Sequence, residues 1–351
     1  MQLRNALVWL GFGSILFGCS SQDADADPVA SLAASVQQPR AAWVPANLPA
    51  DVCNATGGTD LNVAAGQNST ITPEDPCDAL VAQPDGLPSI CVRKFANVNV
   101  AGTLSSWSST TRVLALVATG DLTIASGGAV RVGTNDGGDP RGVGGGPGGP
   151  GGGSGGAGRI GAGAAGGSQG GQGGSAFGPT EGTQLVSGAM GGGGGTIWDG
   201  YGGGAGGAIQ LVACHQLALA GTVDVRGQNG SAGRDGYEPH MSIPGGGGGG
   251  GSGGSVVLDA PSITAACGAQ LVATGGAGGR GGHAPEQNQV GGAGGGGGTG
   301  AQTPEPGGQP TGGTLAGGGG GGGAVGRIVL HLPNGASTPT LDAAPPVAVV
   351  H

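Results

Sequence analysis

The sequence predicts an all-β protein: a short parallel β-solenoid with three strands per coil and long glycine-rich insertions at one corner. Three observations predict it. Glycine makes up 90 of 351 residues, and 76 of those fall in three stretches, Gly133–Gly207, Gly227–Gly254 and Gly275–Gly326. The segments between them are nearly free of glycine, rich in β-branched and aliphatic residues, and alike. Each divides, by alternation and turn residues, into three short strands.

Met1–Asn5 carries one positive charge, Arg4, and Ala6–Phe17 is apolar and uncharged. That is the layout of a secretory signal, too short to span a membrane. It closes on Leu16-Phe17-Gly18-Cys19. A small residue before Cys, with an aliphatic residue two places earlier, resembles the bacterial lipoprotein signal. The resemblance implies removal of residues 1–18 and lipidation of Cys19 on its thiol and new N-terminus. The implied partner is a membrane, held by acyl chains such as palmitate that gain about 0.8 kcal/mol per buried CH₂. Ser20, where an Asp would signal inner-membrane retention, points within that family to the outer membrane. Residues 19–50 are acidic, then rich in Ala and Pro, without apolar periodicity. They read as a tether, and Asp23, Asp25 and Asp27 as part of its solvated surface.

Residues 51–95 read as an N-terminal cap. Cys53, Cys77 and Cys91 lie within 39 residues of a stretch rich in Pro and Asp. Export favours disulfides, and a bridge among these three would staple the cap, although spacing does not choose the pair. Cys214 and Cys267 are the candidates for a second bridge.

The solenoid is expected over 96–335, with insertions at 133–207, 227–254 and 275–326. Phe95–Leu104, with Val98 and Val100, reads as an early partial coil. Three fuller units follow, Arg112–Gly133, Ala208–Gly227 and Ser255–Gly276, and Arg327–Leu332 repeats only the first part. In the second unit the strands are Ile209–Ala213, Leu217–Leu219 and Thr222–Val225. One face gathers Ile209, Leu211, Leu217, Leu219, Val223 and Val225. The third unit supplies Val256, Leu258, Ile263, Ala265, Leu271 and Ala273 in the same places. The first supplies Leu122, Ile124, Val130 and Val132, but its Val113–Val117 is apolar throughout, so alternation does not orient it. Thr123, Arg131, Gln210, Asp224 and Thr264 point outward. A single coil cannot bury its inner face, whereas stacked coils share a core and close one another's edges. Residues 336–351 read as a C-terminal tail.

Each insertion leaves after a third strand and returns at the next first strand, which puts all three at one corner. Closure entropy grows slowly with loop length, so such insertions are tolerable. Two states remain open for them. Glycine loses the most entropy on ordering, which favours disorder. Packed left-handed polyproline-type chains, bonded to their neighbours and brought close by the missing Cβ, are the other state. Glycine at every third position is noticeable only near Gly145, Gly148 and Gly151.

The poly-Gly run, then GGSVVLDAPSITA (Gly253–Ala265), a Gly-rich exit and finally GRIVLHL (Gly326–Leu332), resembles glycine-rich, β-helix-like surface proteins of Gram-negative bacteria. The resemblance implies a right-handed β-helix-like architecture and a place at the cell surface rather than an activity.

A formal charge of −9 with a single Lys, Lys94, argues against a nucleic-acid partner. His215, His240, His283, His331 and His351 follow no metal-ligand spacing, so no metal and no cofactor are expected. No G-x-S-x-G elbow precedes a helix, and Asn135–Asp139 reads as a turn. Parallel solenoids also host polysaccharide lyases and hydrolases, whose sites need carboxylates or Arg on an outer face. Asp224, Asp259 and Arg131 are the candidates, although Asp224 and Arg131 on adjacent coils read more simply as a surface ion pair. No catalytic residue is assigned. Trp198 and Tyr201, with Tyr237 in the next insertion, are candidates for surface contact or for covering the solenoid corner. The expected role is that of a lipid-anchored envelope or surface protein, structural, adhesive or matrix-associated, meeting extracellular polysaccharide or other envelope proteins. The other reading is a carbohydrate-active lyase or hydrolase.

Overall fold

A computed structural model describes residues 43–54, 58–84, 87–108, 112–134, 184–185, 188, 200–236, 244–284, 288–299, 303–311 and 316–351. Among them there are eighteen strands and no α-helix. Three sheets hold all the strands. One contains, in spatial order, β1 (Leu61–Val63), β5 (Val98–Val100), β8 (Leu122–Ile124), β11 (Leu217–Leu219) and β14 (Ile263–Ala265). The second contains β2 (Asn68–Thr70), β6 (Thr103–Ser108), β9 (Ala129–Thr134), β12 (Thr222–Asp224), β15 (Gln270–Val272) and β17 (Asp342–Ala344). The third runs β3 (Ala79–Val81), β4 (Ser89–Phe95), β7 (Arg112–Ala118), β10 (Ala208–Ala213), β13 (Ser255–Asp259), β16 (Arg327–His331) and β18 (Ala348–Val350). Every pairing is parallel except β3 with β4. From β4 to β15 the chain visits the third, first and second sheets in that order, four times over.

Parallel in-register pairing stacks like positions. Leu114, Ile209, Val256 and Ile328 form one row, and Leu116, Leu211, Leu258 and Leu330 the next. With Leu122, Ile124, Leu217, Leu219, Val130, Val223 and Leu271 they make a buried core between the three sheets. The inward positions expected for the three units all belong to it, with Ala265 at its edge. The unoriented run Val113–Val117 also finds its reason. Leu114 and Leu116 face this core, while Val113, Ala115 and Val117 face a second apolar cluster on the opposite side of the sheet. A strand buried on both faces shows no alternation.

That second cluster is covered by Leu185 and by residues 43–54, through Trp43, Leu48, Val52 and Cys53. The stretch expected to be tether therefore joins the body from Trp43 onward, because the sheet's outer face is too apolar to stand in water. Other boundaries move as well. The expected cap, 51–95, contributes β1, β2, β3 and β4 to the sheets, and the expected tail, 336–351, contributes β17 and β18. The three-residue strands β1, β2, β17 and β18 pair with β5, β6, β15 and β16, whose outer backbone groups would otherwise stand open.

Cysteine pairing departs from expectation. Cys77 bonds Cys91, a pairing within the expected group. Cys53 bonds Cys214, 161 residues away, so Cys214 does not pair with Cys267. Cys214 follows directly on β10, beneath residues 43–54, and Cys53 closes that covering segment onto the sheet. Cys19 lies outside the described residues.

Candidate functional site

The glycine-rich insertions leave after β9, β12 and β15 and return at β10, β13 and β16. Their described parts bond to one another with a period of three. The amides of Gly200, Gly203 and Gly206 donate to the carbonyls of Gly246, Gly249 and Ser252 at 2.7–2.8 Å. Gly247, Gly250 and Gly253 donate to Gly318, Gly321 and Ala324 at 2.9 Å. Gly248, Gly251 and Gly254 donate to Ser231, Gln228 and Val225 at 2.8–2.9 Å. Gly276, Gly279 and Gly282 donate back to Gly251, Gly248 and Gly245 at 2.7–2.8 Å. Three residues per turn with all bonds between chains is the geometry of the polyproline II helix. Of the two states left open by the sequence, the packed one holds for these segments.

Residues 244–254, bonded to four neighbouring segments, are buried throughout and almost wholly glycine. Residues 274–283 carry two glycines in every three; the amides of those glycines donate to 292–298 and 245–251, and carbonyls of the same segment accept from 227–236 and 317–323. Residues 225–236 carry one in three. Gly227, Gly230, Gly233 and Gly236 donate to the carbonyls of Thr274, Ala277, Arg280 and His283 at 2.8–2.9 Å. The two residues between successive glycines are exposed. A Cβ on Gly248 would overlap the carbonyl of Tyr201, and one on Gly276 that of Gln228, so close approach dictates the residue type.

The outer rows carry the side chains. Asn229 Oδ1 accepts from the Ala277 amide at 2.8 Å, and Asp235 Oδ1 from the His283 amide at 2.8 Å. Arg280 Nη1 reaches Asp235 Oδ1 at 3.2 Å. Partial burial works upward on the Asp235 carboxyl, but the His283 amide and Arg280 together hold it below the usual carboxylate range. The Tyr201 amide donates to Ser231 Oγ at 2.6 Å, and the Tyr201 side chain is exposed. Trp198 and Tyr237, its expected companions in a surface contact, lie outside the described residues, as do Gly145, Gly148 and Gly151.

The candidate carboxylates stand elsewhere. Asp224 does lie opposite Arg131 in register. Its ion pair is with Arg226 instead, through Nη2 at 2.6 Å and Nε at 2.9 Å, because Arg226, two residues further along, reaches both oxygens. Asp259, expected to point into solvent, is wholly buried beneath residues 43–48. His331 Nδ1 lies 2.6 Å from its Oδ1, which also accepts from the Ala46 amide at 3.3 Å. Gln210 Nε2 donates to its Oδ2 and, at 2.6 Å, to the Ala46 carbonyl. The Trp43 ring leans on His331 with centroids 6.2 Å apart. Burial pushes the Asp259 carboxyl up, against the opposing pull of His331, Ala46 and Gln210. Among the described residues no three His, Cys, Asp or Glu side chains gather as metal ligands would.

Sequence reading missed two features here: the glycine bundle's three-residue period and the buried grip on Ala46. Sorting glycines by every third position over 225–236 would have found the first. Gln210, polar on an otherwise apolar strand, was the signal for the second. Searches against family models, curated proteins and solved structures give no match for the chain.

Proposed function

We propose that the chain is an exported, lipid-anchored surface protein whose body is a short parallel β-solenoid, right-handed and three strands to the coil, that displays a glycine bundle from one corner. Its role is structural or adhesive, towards extracellular polysaccharide or other envelope components. One observation carries this reading. Three insertions that return at corresponding places bury their glycines against one another and turn Gln228, Asn229, Arg234, Asp235, Arg280 and Tyr201 outward. Ordering so much glycine costs conformational entropy, and the product is a surface of regularly spaced polar side chains. Cys19, the acidic stretch after it and the order of the chain support the anchor.

The surface role is tested by retention of the purified chain on insoluble polysaccharides and on isolated envelopes. Retention that weakens in Arg234→Ala, Arg280→Ala and Tyr201→Ala variants is expected. No retention on any of them counts against the role. Product release from a polysaccharide, abolished by Asp224→Asn or Asp259→Asn, replaces it with the enzymatic reading. For the anchor, labelled fatty acid is expected in the wild type and absent from Cys19→Ala. A lipidated thiol is closed to disulfide formation, so a peptide in which Cys19 is disulfide-linked overturns lipidation.

A further inference from the structure

Residues 43–53 are fastened to the outer face of the third sheet in two different ways. Ala46 is gripped at both backbone groups, its amide by Asp259 on β13 and its carbonyl by Gln210 on β10. Trp43 leans on His331 of β16. Asn47 turns the chain in the left-handed region, φ 59°, and Leu48 and Val52 then enter the apolar cluster. All of these attachments are non-covalent. Cys53, the next residue, is bonded to Cys214 at the end of β10. Tension arriving from residue 42 therefore meets weak contacts one at a time, and then a covalent stop.

We propose that residues 43–52 are a strap that peels from the sheet under tension and halts at the Cys53–Cys214 bridge, lengthening the tether while the body stays folded. The proposal rests on the tether reading for the source of the tension, not for the strap's ability to open. Ten residues drawn straight add about 35 Å at roughly 3.5 Å per residue. Peeling uncovers Val212, Val257 and Val329 together with the buried Asp259 carboxyl. Exposing the valines and giving up the two hydrogen bonds to Ala46 are unfavourable, so the strap returns when tension falls. No body segment inside the Cys53–Cys214 loop is drawn out, because the bridge takes up the tension first.

Single-molecule stretching of the oxidised full chain, held at its two termini, tests this. The expected record has a short, reversible event worth about ten residues at a force below that of any sheet opening. Gln210→Ala should lower the force of that event and leave its length unchanged, which identifies it. In the Cys53→Ser/Cys214→Ser variant the event should run on past residue 53 and lengthen. Hydrogen exchange on the unstretched chain gives an independent readout, with the Ala46 amide exchanging at least tenfold faster than the β10 amides. The proposal is overturned if no short event responds to Gln210→Ala, or if Ala46 exchanges only together with β10. Failure of fatty acid to enter at Cys19 would remove the tether reading and leave both measurements as they stand.

Discussion

Asp259 and His331 occupy paired positions on adjacent parallel strands, with Nδ1 2.6 Å from Oδ1, and Asp259 has no exposure to solvent. Burial raises the carboxyl's affinity for its proton, so the folded chain holds that proton more tightly than the unfolded chain. A folded-state pKa above the unfolded one gives stability that is fully present below the unfolded value and is lost as pH rises through the folded value. The wild type should thus lose thermal stability relative to Asp259→Asn as pH rises from the ordinary carboxylate range. Melting both chains from pH 4 to pH 8 checks this. A difference in midpoint that stays constant with pH, or grows in the wild type's favour, would contradict it.

Where the glycine segments are covered on every side, a single methyl should be felt. A Cβ on Gly248 would overlap the Tyr201 carbonyl, and one on Gly320 the Gly248 carbonyl. Gly248→Ala and Gly320→Ala should each cost about 1–3 kcal/mol, the usual range for overpacking. Ala232→Ser, at an exposed position of the edge segment, should stay within about 0.5 kcal/mol. Denaturant titration of the three variants separates these outcomes. Equal effects at buried and exposed positions would mean that the glycine segments do not pack as described.

Much of the three-sheet stack was legible because alternation at Ile209, Leu211, Leu217 and Leu219 reports a one-sided core directly. It failed at Val113–Val117 for a physical reason. Residues 43–54 cover the other side of β7, and burial on both faces erases the period. The end strands were hidden because β2 and β17 carry few large apolar residues and earn their place by pairing alone. The glycine bundle was legible as composition but not as structure. Its signal lies in which positions are not glycine, and Gln228, Ser231 and Arg234 show it only when read three residues apart.

The two bridges should differ in what they contribute. Cys53–Cys214 closes a separation of 161 residues, and Cys77–Cys91 one of 14. Chain-entropy reasoning assigns about 5 kcal/mol to the long loop and about 3 kcal/mol to the short one. The Cys53→Ser/Cys214→Ser variant should therefore unfold at lower denaturant than Cys77→Ser/Cys91→Ser. It should also release the covering segment, seen as proteolytic cleavage between Trp43 and Asn54. The reverse order of midpoints would show that the short bridge, at the antiparallel β3–β4 end of the stack, limits stability instead.

The edge segment suggests a stabilising substitution. Asn229 accepts from the Ala277 amide and Asp235 from the His283 amide, both at 2.8 Å. The two pairs sit six residues apart along two parallel segments of the same three-residue period. Midway between them Ala232 stands opposite Arg280, and Ala232 has no side-chain acceptor to offer its amide. Ala232→Asn should place one there, with the geometry already realised on either side. A hydrogen bond of this kind contributes about 0.5–1.5 kcal/mol net, so the midpoint of unfolding should rise. The Arg280 amide should also exchange more slowly, which distinguishes the new bond from a general surface effect. An unchanged or lower midpoint, with Arg280 exchange unaltered, would show that the two segments are not held in the register that places residue 232 opposite residue 280.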